Sequence, residues 1–249
     1  MSQEEKGRIF RDLHRAGSAF VVPNPWDAGT AQLLTSLGFK ALATTSSGVA
    51  RTLGREDHGV GRELMLGRIA EIVAATELPV SGDLEDGYAN DPAAVAETIL
   101  LAAQTGLVGG SIEDVASRPD YPVYEKEFAA ERLVAAAEAA KGLRFPFTLT
   151  GRAENYIVGI ENLADTIARL QAYQEAGADV LFAPGLKRKE DIEAVVRSVD
   201  RPVNILVGLP GMTVTVAELA EIGVKRISIG GGLSRAAMEA VKQEAAKYL

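Results

Sequence analysis

Short apolar, β-branched runs alternate with amphipathic stretches eight times along the chain, and this alternation restricts the fold more than any other feature. The runs are AFVV (19–22), ALATT (41–45), LPVSG (78–82) and VGGSI (108–112), then FTLTG (147–151), ADVLFA (178–183), PVNILV (202–207) and RISIG (226–230). Between them, stretches such as RELMLGRIAEIVAAT and ENLADTIARLQAYQEAG carry apolar residues at three- and four-residue spacing, and a glycine often follows the last turn. Eight βα units predict an α/β fold, a (β/α)8 TIM barrel, with an extra N-terminal helix over the leading MSQEEKGRIFRDLHRAG. A doubly wound sheet would need fewer strands or a second domain. No low-complexity or Pro/Ser-rich linker interrupts the pattern, so residues 1–249 read as a single barrel domain.

Composition narrows the class of activity. A net charge of −8 argues against nucleic acid or an anionic membrane as partner. With no cysteine, disulfides, zinc–thiolate centres and cysteine nucleophiles are excluded. The charged N-terminus does not read as a signal peptide, and no apolar run reaches the roughly 18 residues of a membrane span. The expectation is a soluble, cytoplasmic protein.

In such a barrel, chemistry gathers where strands end and βα loops begin. Those positions hold Asn24, Trp26 and Asp27 after the first strand and Thr45, Ser46, Ser47 and Gly48 after the second. Asp83 and Glu85 follow the third, Glu113 and Asp114 the fourth, and Arg152, Glu154 and Asn155 the fifth. Pro184 and Gly185, Asn204, and Gly230, Gly231 and Gly232 follow the last three.

Asp83 and Glu85 are two apart, which in extended chain turns both to one face, and Glu113 is expected at the same depth on the neighbouring strand. Converging carboxylates repel unless a cation sits among them, and an all-oxygen set suits Mg²⁺ or Mn²⁺. The alternative is helix caps and solvated loop acids, a reading that suits Asp86 and Asp114 better than the other three. Arg152 offers a planar fork for a carboxylate or phosphonate, or an ion pair with a neighbour such as Glu154. TTSSGVA offers backbone N–H groups to an anion, or is a tight strand-to-helix turn. The triple glycine of SIGGGLSRAA fits either a phosphate site or close packing. His14 reads as a surface or interface residue. His58 is within reach of the mouth, with no role assigned by its neighbours. Tyr121 and Tyr124 either cap a site or pack on its rim.

GDLEDGY, SIED, GRAEN and LGREDHG, in a barrel, resemble the isocitrate lyase/phosphoenolpyruvate mutase superfamily, and the likeness runs from VVPNPWDAGTAQLLTSLGF to GVKRISIGGGLSRAA. Members bind Mg²⁺ and a 2-oxo acid or its enolate, make or break C–C or P–C bonds beside it, and assemble as tetramers that exchange a C-terminal helix. The resemblance implies that Asp83 is the direct metal ligand. It implies that Glu85, Glu113 and Asp57 hold metal-bound waters, that Ser46, Ser47 and Gly48 receive the substrate carboxylate, and that Arg152 contacts the anionic substrate. The family's C–C lyases carry Lys-[KR]-Cys-Gly-His after the fourth strand, where this chain reads DVASRPDYPVYEKE, with Arg118 and Lys126 its only cations. Pro184 stands about where the phosphonomutase branch has a histidine.

The combined expectation is a Mg²⁺-dependent homo-oligomeric enzyme, dimer or tetramer, that cleaves a C–C bond beside a 2-oxo or 2-hydroxy carboxylate. P–C bond chemistry and 2-oxo acid binding without turnover are the alternatives. Arg152, Glu113 and Asp57 are the candidate catalytic residues. Thr45, Ser46, Ser47, Gly48, Arg152 and Asn204 are the candidate substrate contacts, and Asp83, Glu85 and Glu113 the candidate metal-binding acids.

Overall fold

The computed structural model describes residues 1–116 and 122–249. The chain opens with α1 (Gln3–Arg15) and β1 (Phe20–Val22), followed by α2 (Ala28–Ser36), β2 (Leu42–Ala43), α3 (Ser46–Thr52) and α4 (Arg62–Ala74). Next come β3 (Val80–Asp83), α5 (Pro92–Gln104), β4 (Gly109–Glu113), α6 (Lys126–Lys141), β5 (Thr148–Arg152) and α7 (Leu163–Glu175). The last units are β6 (Val180–Phe182), α8 (Lys189–Arg197), β7 (Val203–Leu206), α9 (Val216–Glu221), β8 (Arg226–Ser228) and α10 (Gly232–Ala245).

All eight expected strands form, and they pair in parallel in the order β1-β8-β7-β6-β5-β4-β3-β2. The β1–β2 seam is closed by side chain as much as by backbone. Ala43 donates to the Pro23 carbonyl at 3.1 Å, and Asn24 Nδ2 donates to the Thr44 carbonyl at 3.2 Å. Asn24 Oδ1 also accepts the N–H groups of Ile229 and Gly230, so one buried amide ties β1 to both its neighbours. Leucine, isoleucine, valine and alanine on the outer strand faces and inner helix faces form the main core.

The extra helix α1 plugs the N-terminal end of the barrel. Its capping box, Ser2 and Glu5, starts it, and Gln3 donates to the carbonyls of Ala103 and Leu107. Phe10 packs edge-on to Phe20, and a Cβ at Gly109 would stand 2.7 Å from the Thr148 carbonyl oxygen and 3.0 Å from the Phe10 ring. His14 is not a surface residue. It is 4% exposed, edge-on to Phe10 and Phe20, with Nδ1 2.8 Å from the Phe10 carbonyl. Amphipathic spacing placed it on a helix but not on the helix's buried face.

The strand-to-helix turn read after the second strand leads directly into a short helix. TTSSGVA is not only a turn: α3 begins there, with Thr45 as N-cap accepting from the Gly48 N–H at 3.4 Å. Serine and glycine have weak helix propensity, and here the cap and tertiary contacts prevail.

Burial, with the nearby Arg226 charge adding to it, lowers the His14 pKa to about 3. The folded state therefore leaves this ring neutral while the unfolded chain protonates it below about pH 6.5. Stability from neutral His14 is complete above that pH and shrinks as pH falls towards 3. Denaturant titrations of the protein and of His14→Gln should accordingly converge on acidification, by about 1 kcal/mol per pH unit below 6.5. A pH-independent difference would overturn this account.

Candidate active site

β3, β4 and β5 end in Asp83, Glu113 and Arg152, and parallel pairing sets Glu113 directly beside Arg152. Arg152 is the hub. Its Nη1 lies 3.0 Å from Glu113 Oε2 and 3.3 Å from Asp83 Oδ1, its Nε bonds Glu154 Oε1, and its guanidinium stacks 5.1 Å from the Phe182 ring. Burial opposes the charge, but Glu113, Glu154 and Asp83 together outweigh it and raise the Arg152 pKa, so this side chain stays protonated. The ion pair with Glu154 read as an alternative role is present, together with two others.

Asp83 is held by its neighbours on the other side. Its Oδ2 accepts the Ser46 N–H at 2.8 Å, and its own N–H donates to Thr44 Oγ1 at 2.9 Å. Ser46 Oγ stands 2.9 Å from Asp83 Oδ2 and 3.0 Å from Asp57 Oδ1. A hydroxyl carries one proton, so it serves only one of these carboxylates at a time.

The structure brings Glu85 into the cluster, though not by strand alternation. β3 ends at Asp83, and Glu85 has φ 50°, a left-handed conformation rather than an extended one. The Glu85 carbonyl accepts from the Glu113 N–H at 2.9 Å, which sets the two acids side by side. His58 joins them: Nδ1 lies 3.4 Å from Glu85 Oε2 and Nε2 3.4 Å from Glu113 Oε1. Its hydrogen bond to Glu85 raises the His58 pKa to about 9 against the effect of burial. Burial raises the Glu85 and Glu113 carboxyls, with His58 opposing at Glu85 and Arg152 at Glu113.

Sequence reasoning left His58 without a role because its partners lie far along the chain. A signal existed in the backbone. His58, Glu85 and Tyr88 are the non-glycine residues with positive φ among the described residues, and all three line one cleft at the mouth. Left-handed backbone at such residues costs on the order of 1 kcal/mol each and gathers at functional sites.

Five carboxylates, Asp57, Asp83, Glu85, Glu113 and Glu154, thus share two cations, Arg152 and His58. Glu85 Oε1 is buried without a hydrogen-bond partner. Among the described residues no three of these groups already form a closed metal cage, because Arg152 and His58 stand between them. The surplus acid, the all-oxygen donors and the orphaned Glu85 oxygen nonetheless fit a hard divalent cation.

A cavity of about 230 Å³ opens beside Asp83. Of the candidate substrate contacts, Thr45, Ser46, Ser47 and Arg152 line it, together with the candidate catalytic residue Asp57. Gly48 and Asn204 are not among its lining residues. Gly48 lies beneath, where a Cβ would stand 2.9 Å from the Trp26 Cβ, and Asn204 is fully buried in the strand, donating to Ser228 Oγ at 3.0 Å. Gly230 and Gly231 line the cavity, and a Cβ on Gly231 would stand 2.6 Å from Ser47 Oγ. A wider groove, about 650 Å³, lies at the opposite end among Arg8, Arg11 and Arg144, away from these acids.

Asp114 also departs from its reading as a cap or solvated acid. It is 1% exposed, accepting from the Glu154 N–H at 2.7 Å and from Arg169 Nη1 at 3.0 Å, so it positions the loop that carries Glu154. Asp86 does serve a turn, accepting the Tyr88 N–H at 2.9 Å. Asp27 caps α2, and Asn155 is bonded to Thr166. Tyr124 packs on the rim against Phe128 and the Arg132 guanidinium. Arg118 and Tyr121 lie outside the described residues.

The family model described as phosphoenolpyruvate phosphomutase matches residues 10–249. The chain belongs to this family. Of similar solved structures, a Burkholderia cenocepacia J2315 protein provisionally assigned as a lyase/mutase is 53% identical, with a TM-score of 0.96 over 98% of this chain and 88% of that one. Similar proteins with a named activity include a 2-methylisocitrate lyase of Halalkalibacterium halodurans, 26% identical over 96% of this chain and 76% of that one. An oxaloacetate decarboxylase of Pseudomonas fluorescens Pf-5 is also 26% identical, over 93% of this chain and 80% of that one. A phosphonopyruvate hydrolase solved with oxalate and Mg²⁺, 22% identical, shares the fold at a TM-score of 0.87 over 99% of this chain and 87% of that one.

Arg152 balances three buried acids, so Arg152→Met should lose about 3–5 kcal/mol of stability in denaturant titrations at pH 8. The loss should shrink towards pH 6, because carboxylates freed of their partner take protons more readily in the folded state than in the unfolded one. A loss below about 1 kcal/mol would show the hub to be dispensable.

Proposed function

We propose that this chain is a Mg²⁺-dependent enzyme that cleaves the C–C bond beside a 2-oxo or 2-hydroxy carboxylate. The observation that carries this reading is the surplus of acid at the mouth, five carboxylates against two cations with Glu85 Oε1 unbonded, of which Asp57 and Asp83 line the cavity walled by Ser46 and Ser47 and Glu85 the adjoining cleft. Asp83, Glu85 and Glu113 would hold the metal, with Asp57 beside them. Bound there, Mg²⁺ would supply positive charge to the oxygens of the 2-oxo carboxylate as negative charge develops on them.

The chain's own groups perform the rest. Ser46 and Thr44 fix the Asp83 carboxylate and backbone, so its geometry does not depend on the ligand. Arg152 keeps its proton in the cavity wall and offers a fixed positive charge to the substrate. Phe182 stacks on that guanidinium and limits its motion. The named lyase and decarboxylase relatives support C–C rather than P–C cleavage as the first reading.

The partner is a small carboxylate, and we assign a homo-oligomeric state as well. Helix α10 leaves Met238 54% and Val241 61% exposed, an apolar strip suited to a second copy of the chain. No helix among the described residues is long and apolar enough to cross a membrane.

Oxaloacetate, 2-alkylmalates and isocitrate analogues form the test panel, each assayed with Mg²⁺ and with EDTA. Turnover of at least one should require the metal and fall about 100-fold or more in Asp83→Asn. Phosphonopyruvate turnover by phosphorus NMR, with none of the panel cleaved, would replace this reading with P–C chemistry. Absence of any metal-dependent turnover would leave a binding protein.

A further inference from the structure

Arg226 is a buried cation that the chemistry at the mouth does not use. It is the first residue of β8, 3% exposed, and its side chain reaches across the barrel to Thr150 Oγ1 at 3.2 Å. Thr150 lies two residues below Arg152 on β5. The Arg226 Nε has no hydrogen-bond partner, and among the described residues no carboxylate lies within ion-pair distance of it. Burial lowers its pKa to about 10, and the neighbouring Arg152 charge adds to the effect. Arg152, by contrast, already has three acids as partners.

An uncompensated guanidinium inside a barrel costs several kcal/mol of desolvation and is not retained for packing alone. The cavity beside Asp83 descends to this residue. Arg226 is one of its lining residues, and the inward positions between it and the mouth are small hydroxyls, Ser81, Ser111 and Ser228, where most barrels of this kind are filled by branched side chains. The small residues leave a shaft, and its deep end is positive.

We infer that Arg226 receives a second carboxylate of the substrate at the bottom of this shaft, making the ligand a short dicarboxylate bound with its 2-oxo or 2-hydroxy end at the mouth. A total of about 230 Å³ suits a chain of about four or five carbons. The inference rests on the mouth being the 2-oxo carboxylate end, as proposed above. It makes Arg226 a specificity-determining residue: Nε and the remaining Nη hydrogens present a fork to a carboxylate, and the hydroxyls along the shaft offer further donors.

Calorimetry on the Mg²⁺-loaded protein with malate, lactate and oxalate tests it, because lactate lacks only the second carboxylate of malate and oxalate occupies only the mouth. The protein should bind malate about tenfold or more tighter than lactate. Arg226→Met should abolish that preference while leaving oxalate affinity within about twofold, and Arg226→Lys should keep part of the preference. With no acid deprived of a partner, Arg226→Met should melt no lower than the parent protein; if it does not fold, the lysine variant decides. A malate preference that survives Arg226→Met, or an equal loss for malate and oxalate, overturns the inference, as does failure of all three ligands to bind. Arg226-dependent malate binding without oxalate binding would instead sustain the shaft and overturn the assignment of the mouth.

Discussion

The arrangement at the barrel mouth depends on one buried guanidinium. Arg152 touches Asp83, Glu113 and Glu154, acids delivered by three different segments, and without it their mutual repulsion would push the ends of β3, β4 and β5 apart. Its charge is fixed in space by strand pairing with Glu113 and by stacking on Phe182. Because one cation cannot neutralise three acids, the cluster is left electron-rich by design of its geometry. His58 reduces the excess on the side of Glu85, and the remainder is what a divalent ion would meet.

The scaffold separates two polar systems that an ordinary barrel interior would not hold. At the mouth, acids predominate; deeper, between the β-strands, Ser81, Ser111, Asn204, Ser228 and Arg226 replace part of the usual aliphatic filling. Beneath these, Phe10, His14 and Phe20 close the N-terminal end with an apolar plug. The neutral state of His14 follows from that layering, since burial and the Arg226 charge both disfavour a second cation there. The outer ring of helices supplies most of the hydrophobic stabilisation, which frees the interior for charge.

Periodicity made the eight strands legible, because a buried parallel strand must be apolar on both faces and its neighbouring helix must repeat every three to four residues. Strand ends in turn pointed to Asp83, Glu113 and Arg152. What periodicity does not carry is backbone conformation after a strand ends. Glu85 reaches the cluster through a left-handed turn that no alternation rule describes, and His58 through a contact 27 and 55 positions away along the chain in residue number, with Glu85 and Glu113. Asp114 and Asn204 were misplaced for the same reason: whether a polar residue near a strand end faces solvent, cavity or core is decided by tertiary packing. Arg226 sits at the start of its strand rather than the end, outside the positions where chemistry is ordinarily sought.

The seam at Asn24 ties the barrel's assembly to the direction in which a ribosome makes it. Asn24 bonds Ile229, 205 residues later, and β1 has β8 as its paired strand. At synthesis rates of about 5–20 residues per second, the first strand emerges some 10–40 s before the partner it needs. Throughout that interval Phe10 and Phe20 have no finished barrel end to enter. A nascent chain of this design therefore holds β1 without its paired strand until β8 emerges, and β8 completes the barrel rather than extending it.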